Sequence, residues 1–124
     1  MADNKSTVKT QAEKVAEAKR DDTIMRHLGE VSRACSRNVD LANTLGPGSM
    51  IVSPQKLADD TKFIAILHRA VQDLPPKYRL IIEKEYLSIS EKGWYKQYFP
   101  RSSYAKAKRE AVKLVLDILH IDRF

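Results

Sequence analysis

Apolar positions in this chain recur at steps of three and four, the spacing that puts side chains on one face of an α-helix. The longest series is Ile24, Leu28, Val31, Cys35, Val39 or Asn38, Leu41 and Leu45. Asp21 or Asp22 can cap its start, and the Gly46-Pro47-Gly48-Ser49 run ends it, so the pattern predicts a long amphipathic helix over 22–45. Ahead of it, Val8, Ala12, Val15 and Ala16 make only a weak apolar series. Such a segment buries too little to offset its ordering, and residues 1–20 are expected to be flexible or weakly helical.

After the linker, Ser53-Pro54 supplies an N-cap and first-turn pair. A helix starting at 54 or 59 and ending near Asp73 would bury Phe63, Ile64, Leu67, Ala70 and Val71. Leu74-Pro75-Pro76 stops it, and one of those prolines opens the stretch KYRLIIEKEYL, with Tyr78, Ile81, Ile82 and Tyr86 inward. SISEKG reads as a turn and GWYKQYF as a short aromatic helix ended by Pro100. Ser102 or Ser103 then caps a last helix running to about His120. The expected fold is all-α: a small helical domain with a C-terminal helix-turn-helix over about 75–118, preceded by the long amphipathic helix. In domain terms this is an N-terminus (1–20), a helix and Gly/Pro linker (21–53), and a helix-turn-helix unit (54–124).

The length of 124 residues fits one domain with a modest core. No stretch approaches the roughly 18 apolar residues of a membrane span, so no membrane partner is expected. The opening MADNKSTVKTQAEK has no apolar segment of the kind a secretory signal needs. Cys35 is the single cysteine and has no internal disulfide partner, which fits a reducing, cytoplasmic setting.

Charge changes the picture more than composition does. The net charge is +6, yet residues 1–74 carry eleven basic and ten acidic side chains, while 75–124 carry eleven and six. Within 92–113 there are seven basic residues and one acid, Glu110. Like charges held this close call for an anionic partner or a solvated face.

On a helical wheel, Tyr104, Ala107, Ala111, Leu114, Val115 and Ile118 share one stripe of the last helix, and Ser102, Lys106, Arg109 and Lys113 lie nearly opposite. This two-faced helix suits entry into a DNA major groove. Arg101, Ser102, Ala105 and Lys106 would face base edges, Ser103 would cap, and Arg109 and Lys113 would meet phosphates, with Lys108 also among the DNA-binding residues. Lys92 and Lys96 on the short helix would meet the backbone as well. Trp94 and Tyr98, four apart, would pack that short helix on both neighbours.

Other chemistries find little support. His27, His68 and His120 lie tens of residues apart with no ligand partner at metal spacing. Glu83 and Glu85, two apart on a helix, point to different sides. The GPG turn lacks the Lys-Ser/Thr of a phosphate loop. No nucleophile–base pairing is visible, so neither an enzyme nor a cofactor is expected.

The run LPPKYRLIIEKEYL–SISEKGWYKQYF–PRSSYAKAKREAVKLV resembles the C-terminal half of the ArpU/RinA-like phage late-gene transcription regulators, and more distantly the helix-turn-helix of sigma factor region 4. Leu74-Pro75 before an R-x-I-I helix, Tyr86-Leu87 at its end, Trp94, and Ser102-Ser103-Tyr104 leading to Lys106, Lys108-Arg109 and Ala111 carry the likeness. The resemblance implies a regulator in a bacterial host cell that activates phage or prophage late genes by binding promoter DNA. A small terminase-type packaging protein, or a polymerase- or sigma-binding interaction protein, is the alternative. The 22–45 helix has two readings: it completes the core, or it forms a homodimer or contacts RNA polymerase.

Overall fold

The computed structural model describes residues 9–46 and 53–121. Residues 1–8, the linker 47–52 and residues 122–124 lie outside the described residues. The protein is all-α: among the described residues there are four α-helices, α1 (Gln11–Leu45), α2 (Pro54–Gln72), α3 (Pro76–Ile82) and α4 (Tyr104–Ile118), and no strand. A π-helical turn, Glu83–Leu87, extends α3, and a 3₁₀ turn, Trp94–Gln97, lies before α4. None of these helices is long and apolar enough to cross a membrane.

The first helix starts at Gln11, well ahead of the expected 22, and Asp21 and Asp22 lie inside it rather than capping it. Thr10 is the cap. Its hydroxyl accepts from the Glu13 N–H at 3.1 Å, and the Glu13 carboxylate accepts from the Thr10 N–H at 3.4 Å. This reciprocal pair satisfies two donors that a helix start otherwise leaves open. Ala12, Ala16, Ala18 and the intervening Lys and Glu are strong helix formers, so little packing is needed to carry the helix onward. Its end at Leu45 is as expected, with Gly46 at φ 80°, a conformation glycine adopts without penalty.

Helix α2 begins at Ser53-Pro54, with the Ser53 hydroxyl accepting from the Lys56 N–H at 3.1 Å. It folds back along the second half of α1. The contact holds a buried polar cluster: Asp60, 3% exposed, accepts from Cys35 Sγ at 3.4 Å, Asn38 Nδ2 at 3.0 Å and Lys56 Nζ at 2.7 Å. Cys35 and Asn38, part of the stripe read as a possible dimer seam, are thus engaged within the chain. The buried positions of α1 are Met25, Gly29 and Cys35, whereas Leu41 and Leu45 stay exposed. Three neighbours sit on α1: α4 beside its first turns, the π turn against its middle and α2 against its later half. Its inner face therefore includes Met25 and Gly29, which lie outside the apolar series read from spacing.

The π turn explains a glycine. The Tyr86 carbonyl is turned toward α1, where it accepts from Arg33 Nη1 at 2.5 Å. A Cβ on Gly29 would lie 2.1 Å from that oxygen, so only glycine permits the approach. Helix α4 closes the core. Met25, Leu67, Val71, Leu74, Ile81, Ile82 and Tyr86 meet Tyr104, Ala107, Ala111, Val112, Val115 and Leu116 in one cluster. On α4 the buried stripe includes Val112 and Leu116, while Leu114 and Ile118, expected inside, are 37% and 38% exposed.

Candidate nucleic-acid interface

Between Leu87 and Tyr104 the chain bends through a loop, one 3₁₀ turn and a second turn at 101–103. The short aromatic helix expected here is a single 3₁₀ turn. Gly93, at φ 81°, opens it, and the Tyr98 and Phe99 N–H groups both return to the Tyr95 carbonyl before Pro100 stops the run. Trp94 is the hub of its packing, set edge-on to Tyr95, Phe99 and Tyr104 with centroids 6.1, 6.4 and 5.7 Å away. Tyr95 stacks flat on Tyr104 at 3.8 Å. Tyr98 is exposed instead of packed inward.

One carboxylate ties this segment to the rest. Glu85, on the π turn, accepts from Trp94 Nε1 at 3.0 Å, Tyr104 Oη at 3.1 Å and Arg26 Nη2 at 3.1 Å. Burial pushes its carboxyl up, but these donors outweigh burial and hold it below the ordinary carboxylate range. Burial and the neighbouring carboxylate push the Tyr104 hydroxyl up. Arg26 also bonds Asp22 at 3.0 Å and lies over the Tyr86 ring, whose hydroxyl donates to Asp22 at 2.7 Å. Nothing in the sequence set Glu85 or Arg26 apart, because their partners lie on three other segments.

Helix α4 presents two faces. Tyr104, Ala107 and Ala111 are shut inside, and Lys106, Arg109 and Lys113 are exposed on the outer side. Arg101 and Ser102 are exposed just ahead of them. Glu110, the one acid among them, is drawn to the flank by the Tyr78 hydroxyl, which donates to it. That contact pushes the Tyr78 hydroxyl up.

Three expected roles change. Ser103 occupies the cap position but does not cap by its side chain. Its backbone is helical (φ −103°, ψ −18°), so its hydroxyl donates to the Pro100 carbonyl at 3.2 Å. A side-chain cap needs an extended residue there. Ala105 is exposed on the rim between two clefts rather than on the outermost face. Lys108 is half-buried, its ammonium 5.9 Å from the Tyr104 ring centroid. Lys92 and Lys108 share the walls of one cleft of about 590 Å³ with Arg26, Lys84 and Glu85, and Lys96 is exposed on the 3₁₀ turn.

The first turns of α1 were not foreseen at this face. They run beside α4, and together the two helices enclose a groove of about 830 Å³. Lys14 and Lys19 stand on one wall and Arg109 and Lys113 on the other. The T-x-x-E spacing at Thr10–Glu13 is the sequence signal that could have located this element. Among the described residues, no group of three or more His, Cys, Asp or Glu is placed to hold a metal ion. No protein-family model, curated protein or solved structure matches this chain.

Proposed function

We propose that the protein binds double-stranded DNA through the outer face of α4 and regulates transcription, as an activator of phage or prophage late genes. One observation carries the DNA reading: Lys106, Arg109 and Lys113 form an exposed row on a helix whose other side is sealed into the core. A helix about 10–12 Å across matches a major groove about 12 Å wide. Arg101, Ser102 and Lys106 stand at the end that would meet base edges, and Arg109 and Lys113 further along would meet phosphates. The 3₁₀ turn before α4 brings Lys96 to the surface, where it would add a backbone contact. The regulatory role, and a helix-turn-helix manner of docking, come from the resemblance to phage late-gene regulators.

Fluorescence anisotropy with labelled duplexes, chosen by selection from a random-sequence pool, tests this reading. Lys106→Ala is expected to narrow the gap between selected and random duplex. Lys113→Ala should weaken both equally and reduce the salt slope of log K by about 0.9. Binding that neither substitution alters would overturn the assignment.

A further inference from the structure

The groove between α1 and α4 extends the DNA-binding face beyond the helix that reads bases. Its α1 wall carries Lys14 and Lys19, both exposed. The α4 wall carries Lys108, Arg109 and Lys113, and the last two also belong to the outer row. The acids lining it are mostly taken. Glu17 accepts from Lys9, which holds its carboxyl below the usual range, Asp21 lies 3.8 Å from Arg20, and Asp22 is engaged by Arg26 and the Tyr86 hydroxyl. Val15, Ala18 and Val112 supply apolar surface between the walls. Six cations (Lys9, Lys14, Lys19, Lys108, Arg109 and Lys113) line the groove against three acids, so its net charge is positive.

We propose that this groove holds one phosphodiester strand of the duplex, so that Lys14 and Lys19 of α1 are phosphate contacts. The inference rests on the reading that α4 occupies the major groove. The geometry then leaves α1 one place. A major groove about 12 Å wide is filled by a single helix of 10–12 Å diameter. A second helix packed beside it cannot enter the same groove and must lie over the strand that borders it. The exposed side of α1 facing that strand carries lysines, which complement phosphate charge. Phosphate contacts of this kind fix orientation and carry no base information.

The test uses the full chain and a random-sequence 20-bp duplex, titrated by anisotropy across a potassium chloride series. The double variant Lys14→Gln/Lys19→Gln keeps residues of similar helix propensity, and circular dichroism checks that it folds. It should lower the salt slope by about 1.8, two contacts at about 0.9 each, and weaken selected and random duplexes alike. A charge-matched control, Arg37→Gln/Lys62→Gln, removes two exposed cations away from the groove and should leave the slope within experimental error. A double variant that behaves like this control while Lys113→Ala still lowers the slope would overturn the inference and leave the α4 reading standing. If Lys106→Ala and Lys113→Ala also do nothing, both fall. Poly-L-glutamate is the remaining arm: a wild-type protein that binds it more tightly than duplex at equal salt, with only that binding lost in the double variant, assigns the groove to an acidic protein and overturns the inference.

Discussion

Asp60 and Glu85 each gather three side-chain donors, but they join different amounts of the molecule. The donors to Asp60 come from α1 and from its own helix, so the cluster fixes how two long helices sit against each other. Both helices would form and pack there through ordinary apolar contact. The donors to Glu85 come from α1, from the 3₁₀ turn and from the first residue of α4. The segment it organises has little regular hydrogen bonding of its own, and α4 begins without a side-chain cap. Where helices already define a frame, a buried carboxylate sets its register. Where the backbone is irregular, it replaces the missing secondary structure and aims the helix that follows.

The sharpest way to break this contrast is Glu85→Ala. The Glu85 side chain is 20% exposed, and its removal leaves the Trp94 N–H and the Tyr104 hydroxyl without their acceptor and Arg26 with Asp22 alone. Stranding partly buried donors costs about 1–3 kcal/mol. The expected result is a loss of about 2–3 kcal/mol in urea denaturation together with weaker DNA binding. A variant that loses stability and binds DNA as tightly as the parent would show that Glu85 does not orient α4.

Asp60→Asn is expected to do the reverse: a lower urea midpoint, by less than Glu85→Ala, with unchanged DNA affinity. The two carboxylates also predict a shared response to acid. The Lys56 hydrogen bond, then that of Asn38, holds the Asp60 carboxyl below its ordinary value of 3.8, and Glu85 is held below 4.5. A carboxyl depressed by folding contributes stability that is complete above its free value and is lost as pH falls through the folded one. The urea midpoint should therefore hold steady above roughly pH 5 and decline below about pH 4. In Asp60→Asn that decline should be shallower, because one of the two groups no longer titrates. An equally steep decline would place the acid sensitivity elsewhere.

Much of the frame was legible because its boundaries are chemical. Ser53-Pro54 starts α2, Pro75-Pro76 separates it from α3, and Gly46 ends α1, each through backbone preferences that hold without tertiary structure. The outer row of α4 was legible for a similar reason, since three long cations at helical spacing have few places to go but solvent. Glu85 was not legible: Glu83, Glu85 and Glu91 look alike along the chain, and only folding brings Trp94, Tyr104 and Arg26 to one of them. The early turns of α1 were missed because they carry few apolar residues, while their capping box and helix formers stabilise the helix by local means that hydrophobic spacing does not register.

That one omission explains the error in the face of α4. Without α1 beside it, the wheel offers no neighbour on the Val112 side, and the apolar stripe is completed through Leu114 and Ile118 instead. With α1 in place, Val112 lines the groove that α1 forms with α4 and is 3% exposed, and the buried face rotates toward Leu116. Truncating each residue measures this rotation directly. Val112→Ala removes buried methyl groups and is expected to cost about 1–2 kcal/mol, while Leu114→Ala, at a position 37% exposed, should cost less than about 1 kcal/mol despite deleting a larger side chain. Side-chain size alone would rank the two in the opposite order, since leucine is larger than valine. Urea denaturation of the pair therefore reads the position of α1 without any ligand: equal or inverted costs would mean that the early turns of α1 do not cover Val112 in solution, and the groove that depends on them would lose its second wall.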